Sequence, residues 1–112
     1  MIKTRTLGTT TILELHGALT ASEGDPGLRK AVRLALDNGA RTVILNLQDV
    51  PAVDSSGVAN LASAHLTSAN HGAQLKLCGL SQKLKDVFVI TRLNTVFDAY
   101  QTEADAIASV KM

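Results

Sequence analysis

The 112-residue sequence has a single cysteine, Cys78, so neither an internal disulfide nor a cysteine-based metal cage can form. It has no tryptophan and only three Phe or Tyr residues, Phe88, Phe97 and Tyr100. That scarcity argues against a stacking platform for single-stranded nucleic acid and against an aromatic-lined ligand pocket. Charge of one sign is also missing. Eleven Lys and Arg face ten Asp and Glu, for a net charge of +1. Phosphate-backbone binding needs many cationic contacts, so no nucleic-acid partner is expected. Apolar runs such as Val87-Phe88-Val89-Ile90 fall far short of the ~18 residues a membrane helix needs, so no membrane insertion is expected. The N-terminal Met1-Ile2-Lys3-Thr4-Arg5-Thr6 lacks the apolar core of a signal peptide, and the expectation is a cytoplasmic protein.

What is present is apolar side chains, at 46% of residues, which can supply one compact core. Proline is rare and no linker, repeat or low-complexity tract interrupts the chain, so residues 1–112 read as one domain. Thr- and Ile-rich runs at 2–6 and 10–16, separated by Leu7-Gly8-Thr9, predict an antiparallel hairpin at a sheet edge. Asp25 and Pro26 fit the start of a helix whose buried face is Leu28, Ala31, Val32, Ala35 and Leu36, stopped by Asn38-Gly39. The run Val43–Leu47 predicts a central strand. A second helix opens at Asp54-Ser55-Ser56-Gly57, with a predicted buried stripe of Val58, Leu61, Ala62, His65, Leu66 and Ala69. A strand over Gln74–Cys78, a helix from Ser81 to about Leu93 and a short strand over Val96–Tyr100 follow. Thr102 and Asp105 suit a capping box on a last helix docked by Ile107 and Val110. The order β-β-α-β-α-β-α-β-α predicts an α/β fold. It has a mixed β-sheet of four to five strands, joined by right-handed crossovers and packed against about four α-helices.

The segment Val43 to Val58 carries the chemistry. A strand runs into a short loop that delivers Asp54-Ser55-Ser56-Gly57 to a helix start, where free N–H groups and a partial positive charge gather. On the residues alone this reads first as a cap, because Asp and Ser are preferred there. A phosphorylated Ser would gain about −1.5 to −2 charge units at the same place. Catalysis fits poorly. His65 follows Ser56 by nine residues, roughly 13 Å along a helix, His71 lies farther, and no G-x-S-x-G elbow is present. His16, His65 and His71 lack metal-type spacing, no P-loop or G-x-G-x-x-G occurs, and no enzyme activity, metal or cofactor is expected. His65 reads as a packing residue, Cys78 as inert, and Lys76, Lys83 and Lys85 as a solvated face.

The strand–loop–DSSG–helix segment resembles the signature of STAS domains, specifically bacterial anti-sigma factor antagonists. The resemblance extends over His16-Gly17-Ala18-Leu19, the Val43–Leu47 strand and the Arg92–Tyr100 segment. It implies a STAS fold in which Ser56 is the phosphorylated residue. It also makes Asp54, Ser55, Ser56, Gly57 and Val58 the partner-binding group, with Gly57 the small residue that lets a partner approach. The implied mechanism is partner switching. The unphosphorylated domain binds an anti-sigma factor that is also a Ser kinase, and a PP2C-type phosphatase reverses the phosphorylation. The chain departs from the pattern at Thr20, where an acidic residue is frequent, and in the loop Ala21-Ser22-Glu23-Gly24-Asp25. The alternative implied role is a STAS adaptor subunit of a membrane lipid ABC transport system, without phosphorylation; the intact Ser56 favours the first.

Overall fold

The computed structural model describes residues 2–20 and 27–110. In chain order the elements are β1 (Ile2–Leu7), β2 (Thr10–His16), α1 (Leu28–Asp37), β3 (Thr42–Asp49), α2 (Ser55–Asn70) and β4 (Gln74–Cys78). They are followed by α3 (Gln82–Ile90), a 3-10 turn (Leu93–Thr95), β5 (Asp98–Tyr100) and α4 (Glu103–Ala108). The five strands form one sheet in the order β1-β2-β3-β4-β5. β1 is antiparallel to β2 and every other pairing is parallel. The predicted hairpin therefore lies at the sheet edge and the Val43–Leu47 run at its centre.

Each parallel strand lies beside its predecessor, and right-handed crossovers then carry every connecting helix over the same face. The core shows this. Leu13, Leu15, Val43, Leu45, Leu47, Leu75 and Leu77 from the strands pack with Leu28 and Val32 of α1, Leu61 and Ala64 of α2, and Leu84 and Phe88 of α3. Side chains alternate along a strand, so the opposite face takes Ile12, Ile44 and Cys78. Those three pack with Ala106 of α4, and Ile107 and Val110 dock against them. Beyond α4 this second face is polar. Arg5 pairs with Glu103, and Asn46 Nδ2 donates to Glu103 Oε2 at 2.8 Å.

Several sequence expectations need correction. The buried line of α2 is Gly57, Leu61, Ala64 and Ser68, whereas Val58 and Ala62 are half-buried, Ala69 is exposed and Leu66 is 61% exposed; His65 is partly buried, as a packing residue should be. Small residues set this face because they let the helix approach its neighbours closely. Ser68 returns its hydroxyl to the Ala64 carbonyl at 2.9 Å, so its burial leaves no polar group unmet. α3 stops at Ile90, three residues early, and Arg92 takes a left-handed conformation (φ 61°). The 3-10 turn at Leu93–Thr95 then delays β5 to Asp98. Lys76 is not on a solvated face. It is 4% exposed and donates to Asp98 Oδ2 at 2.7 Å, while Lys83 and Lys85 are exposed as expected. The N-cap position of α1 is Gly27, with no side-chain cap bond; Asp25 and Pro26 lie outside the described residues. The Thr102 cap is present, its hydroxyl accepting from the Asp105 N–H at 3.1 Å.

Candidate functional site

The segments following β2 and β3 zip together beyond the sheet. Gly17 N–H donates to the Asp49 carbonyl at 3.2 Å, and Leu19 N–H to the Ala52 carbonyl at 2.9 Å. Leu19 then forms an isolated parallel bridge with Val53, and Asp54 N–H donates to the Leu19 carbonyl at 3.2 Å. Leu19 and Val50, 1% and 2% exposed, anchor both segments in the core. The chain thus arrives at Asp54 on a backbone fixed from two sides.

Asp54 is the N-cap of α2. Its backbone is extended (φ −100°, ψ −172°) and its Oδ1 accepts the Gly57 N–H at 3.1 Å. The cap reading of this acid is therefore correct as far as it goes. Ser55 and Ser56 occupy the first helical turn with exposed side chains, and Val58 behind them is half-buried. Their position at a helix N-terminus supplies the partial positive charge that a developing or bound anion would meet.

Gly57 has a packing role that the sequence did not show. It is buried, and a Cβ there would lie 2.1 Å from the Leu19 carbonyl oxygen and 2.8 Å from Val53 Cγ1. The missing side chain is occupied by the domain's own backbone. Glycine at this position lets the Leu19 segment lie against the helix, which fixes where Ser55 and Ser56 emerge. Thr20, next along that segment, shares the wall of a cavity of about 130 Å³ with Val53, Asp54 and the α3 residues Lys83 and Leu84. The residue that departs from the family pattern is therefore part of the surface at the DSSG turn. The Ala21–Asp25 loop lies outside the described residues.

The histidines are dispersed. His65 packs edge-on against Phe97 at 5.6 Å between ring centroids, and Phe97 stacks on Phe88 at 5.4 Å. His71 closes the far end of α2. His16 lies between two carboxylates, its Nδ1 3.1 Å from Asp49 Oδ2 and its Nε2 3.4 Å from Glu14 Oε1. Sequence spacing missed this group because a register shift between Glu14 and His16 brings Asp49 opposite His16. The arrangement bridges two strands, and one donor atom each of Glu14, His16 and Asp49 lie within 4.8 Å of one another, a grouping that could hold a metal ion. Electrostatic perturbation is concentrated on the α4 face. Burial alone would raise the Glu103 carboxyl, but hydrogen bonds from Asn46 and Arg5 hold it below its ordinary value. Burial pushes the Cys78 thiol up to about 11.

A mixed five-stranded sheet, three crossover helices on one face and a pair of exposed hydroxyls at the start of the central helix define an α/β binding module. The chain belongs to the STAS domain family, whose model matches residues 1–106. Solved structures with the same fold include a Bacillus cell fate determinant, SpoIIAA, in its phosphorylated form, with 23% identity, 99% of this chain and 100% of that one covered, and a TM-score of 0.74. An anti-sigma factor antagonist from Mycobacterium paratuberculosis matches with 16% identity, coverage of 98% and 92%, and a TM-score of 0.84. A sulfate transporter family protein from Wolinella succinogenes matches with 19% identity, coverage of 93% and 86%, and a TM-score of 0.76. No curated protein sequence matches the chain closely enough to count as a relative. Among the described residues no helix is long and apolar enough to cross a membrane.

Proposed function

We propose that the chain is an anti-sigma factor antagonist switched by phosphorylation of Ser56. The unphosphorylated domain binds an anti-sigma factor that is also a Ser kinase and thereby releases a sigma factor. The kinase then phosphorylates Ser56 and the complex dissociates, and a PP2C-type phosphatase restores the binding form. One observation carries this reading: Ser56 is exposed on the first turn of a helix whose start is pinned by Leu19, Asp54 and Gly57. A rigid, exposed hydroxyl can be reached by a kinase without unfolding.

The energetics suit a switch. Phosphate adds about −1.5 to −2 charge units. Placed in a desolvated contact without a partner it costs ~3–5 kcal/mol, as breaking a buried ion pair does. At ~1.4 kcal/mol per decade this weakens binding by roughly a hundred- to a thousandfold or more. In the free domain the same group lies in solvent at a helix N-terminus, which favours it. The partner surface is formed by Asp54, Ser55, Ser56 and Val58, with Gly57 beneath them as support. Incubation with the cognate kinase and ATP, followed by mass spectrometry, is expected to place the phosphate on Ser56. Ser56→Ala is expected to take none and to hold the partner, and Ser56→Asp to weaken binding while leaving the melting temperature unchanged. Phosphate on another residue, or unfolding of Ser56→Asp, would reject the reading.

The fold likeness to a sulfate transporter family protein supports a second reading, a STAS subunit attached to a membrane transport system such as a lipid ABC complex. It predicts that the protein copurifies with a permease and that Ser56→Ala leaves this association and transport unchanged.

A further inference from the structure

At the end of the sheet away from the DSSG turn lies a cavity of about 640 Å³. It exists because β5 is short. Strand β4 begins at Gln74, but β5 joins it only from Lys76↔Asp98 onward. Gln74 gives its N–H to the Arg41 carbonyl on the β3 side at 2.9 Å. Successive amides of a strand point to opposite sides, so the Leu75 N–H points to the β5 side, where it meets no partner among the described residues.

A further donor, Arg41, lines the same cavity. Arg41 is held by its backbone, its N–H donating to the Thr9 carbonyl at 2.8 Å. Its exposed guanidinium has no hydrogen bond or ion pair among the described residues. His65 forms part of the wall, but its Nδ1 presents no surface to the cavity. The remaining charges on the wall, Lys76 and Asp98, neutralise each other through their 2.7 Å ion pair. The cavity is left with one uncompensated cation, Arg41, one unmet N–H, that of Leu75, and apolar walls at Val96 and Val110. The volume falls in the range of small-molecule sites, ~300–1,000 Å³.

We propose that this cavity binds a small organic monocarboxylate, its carboxylate on Arg41 with the Leu75 N–H as a further donor, and its short apolar chain against Val96 and Val110. A planar guanidinium matches a carboxylate with two parallel hydrogen bonds, and a single positive charge suits a monoanion. The inference is independent of Ser56 and of the switch.

Titration of the ¹⁵N-labelled protein with sodium butyrate, followed by amide shifts, tests it. Saturable shifts are expected at Arg41, His65 and Leu75. Arg41→Gln, at an exposed position, is expected to weaken binding about tenfold or more without changing the melting temperature. Acetate is expected to bind more weakly than butyrate. Equal binding of butanol would reduce the cavity to an apolar hollow, and equal binding of chloride to a nonspecific anion site. Either result overturns the proposal, as does the absence of saturable shifts at these amides.

Discussion

At the scale of single residues the most constrained position of the candidate site carries no functional group. Gly57 is required by the 2.1 Å that a Cβ would leave to the Leu19 carbonyl oxygen. Gly57→Ala must push the Leu19 segment away from α2, and overpacking of this kind costs about 1–3 kcal/mol. Chemical denaturation is expected to show that loss, and partner binding is expected to fall with it because Ser55 and Ser56 are displaced. Ser55→Ala, on an exposed side chain, is the control and is expected to stay within about 0.5 kcal/mol of the parent. The DSSG turn was legible in the sequence because its residue types are those of a helix start. Its dependence on Leu19 was not, since that contact joins positions 38 residues apart and leaves no local pattern.

At the scale of elements, most of the architecture was legible. Turn residues at Gly8, Gly39 and Gly72 and period-2 or period-3.6 apolar spacing located each strand and helix to within a few residues. The misses share a cause. Hydropathy marked Val58, Leu66 and Ala69 as the inner face of α2, but the face that packs is defined by small size at Gly57, Ala64 and Ser68. Likewise Val96 and Phe97 read as strand, yet the left-handed Arg92 and the following 3-10 turn redirect the chain before pairing begins. The corrected face of α2 is testable. Leu61→Ala, at a fully buried position, is expected to cost about 2–5 kcal/mol, and Leu66→Ala almost nothing, in matched denaturation curves. Equal losses would restore the hydropathy-based orientation.

At the scale of the whole molecule, the two faces of the sheet are held very differently. Three helices cover one face, whereas the six-residue α4 covers the other with Ala106, two flanking apolar contacts and the Glu103 network. That network sets a pH dependence. The Glu103 carboxyl in the folded state lies below its ordinary value of 4.5, so its contribution is full above pH 4.5 and is lost as pH falls through the folded pKa. Asp98, lowered by its hydrogen bond from Lys76 against a smaller effect of burial, acts in the same direction below 3.8. Melting temperatures are expected to drop in that acid window, and the drop is expected to be shallower in Glu103→Gln.

The thin cover also makes the chain's lone thiol a built-in gauge. Cys78 is buried in a cluster with Ile12, Ile44 and Ala106 of α4 and is held protonated by burial, so thiol reagents can attack it only when that cover lifts. Its labelling rate in native buffer is therefore expected to report detachment of the last helix. That event should occur more often than global unfolding and depend less on denaturant. A rate that tracks global stability at every denaturant concentration would mean that α4 and the three-helix layer open only together.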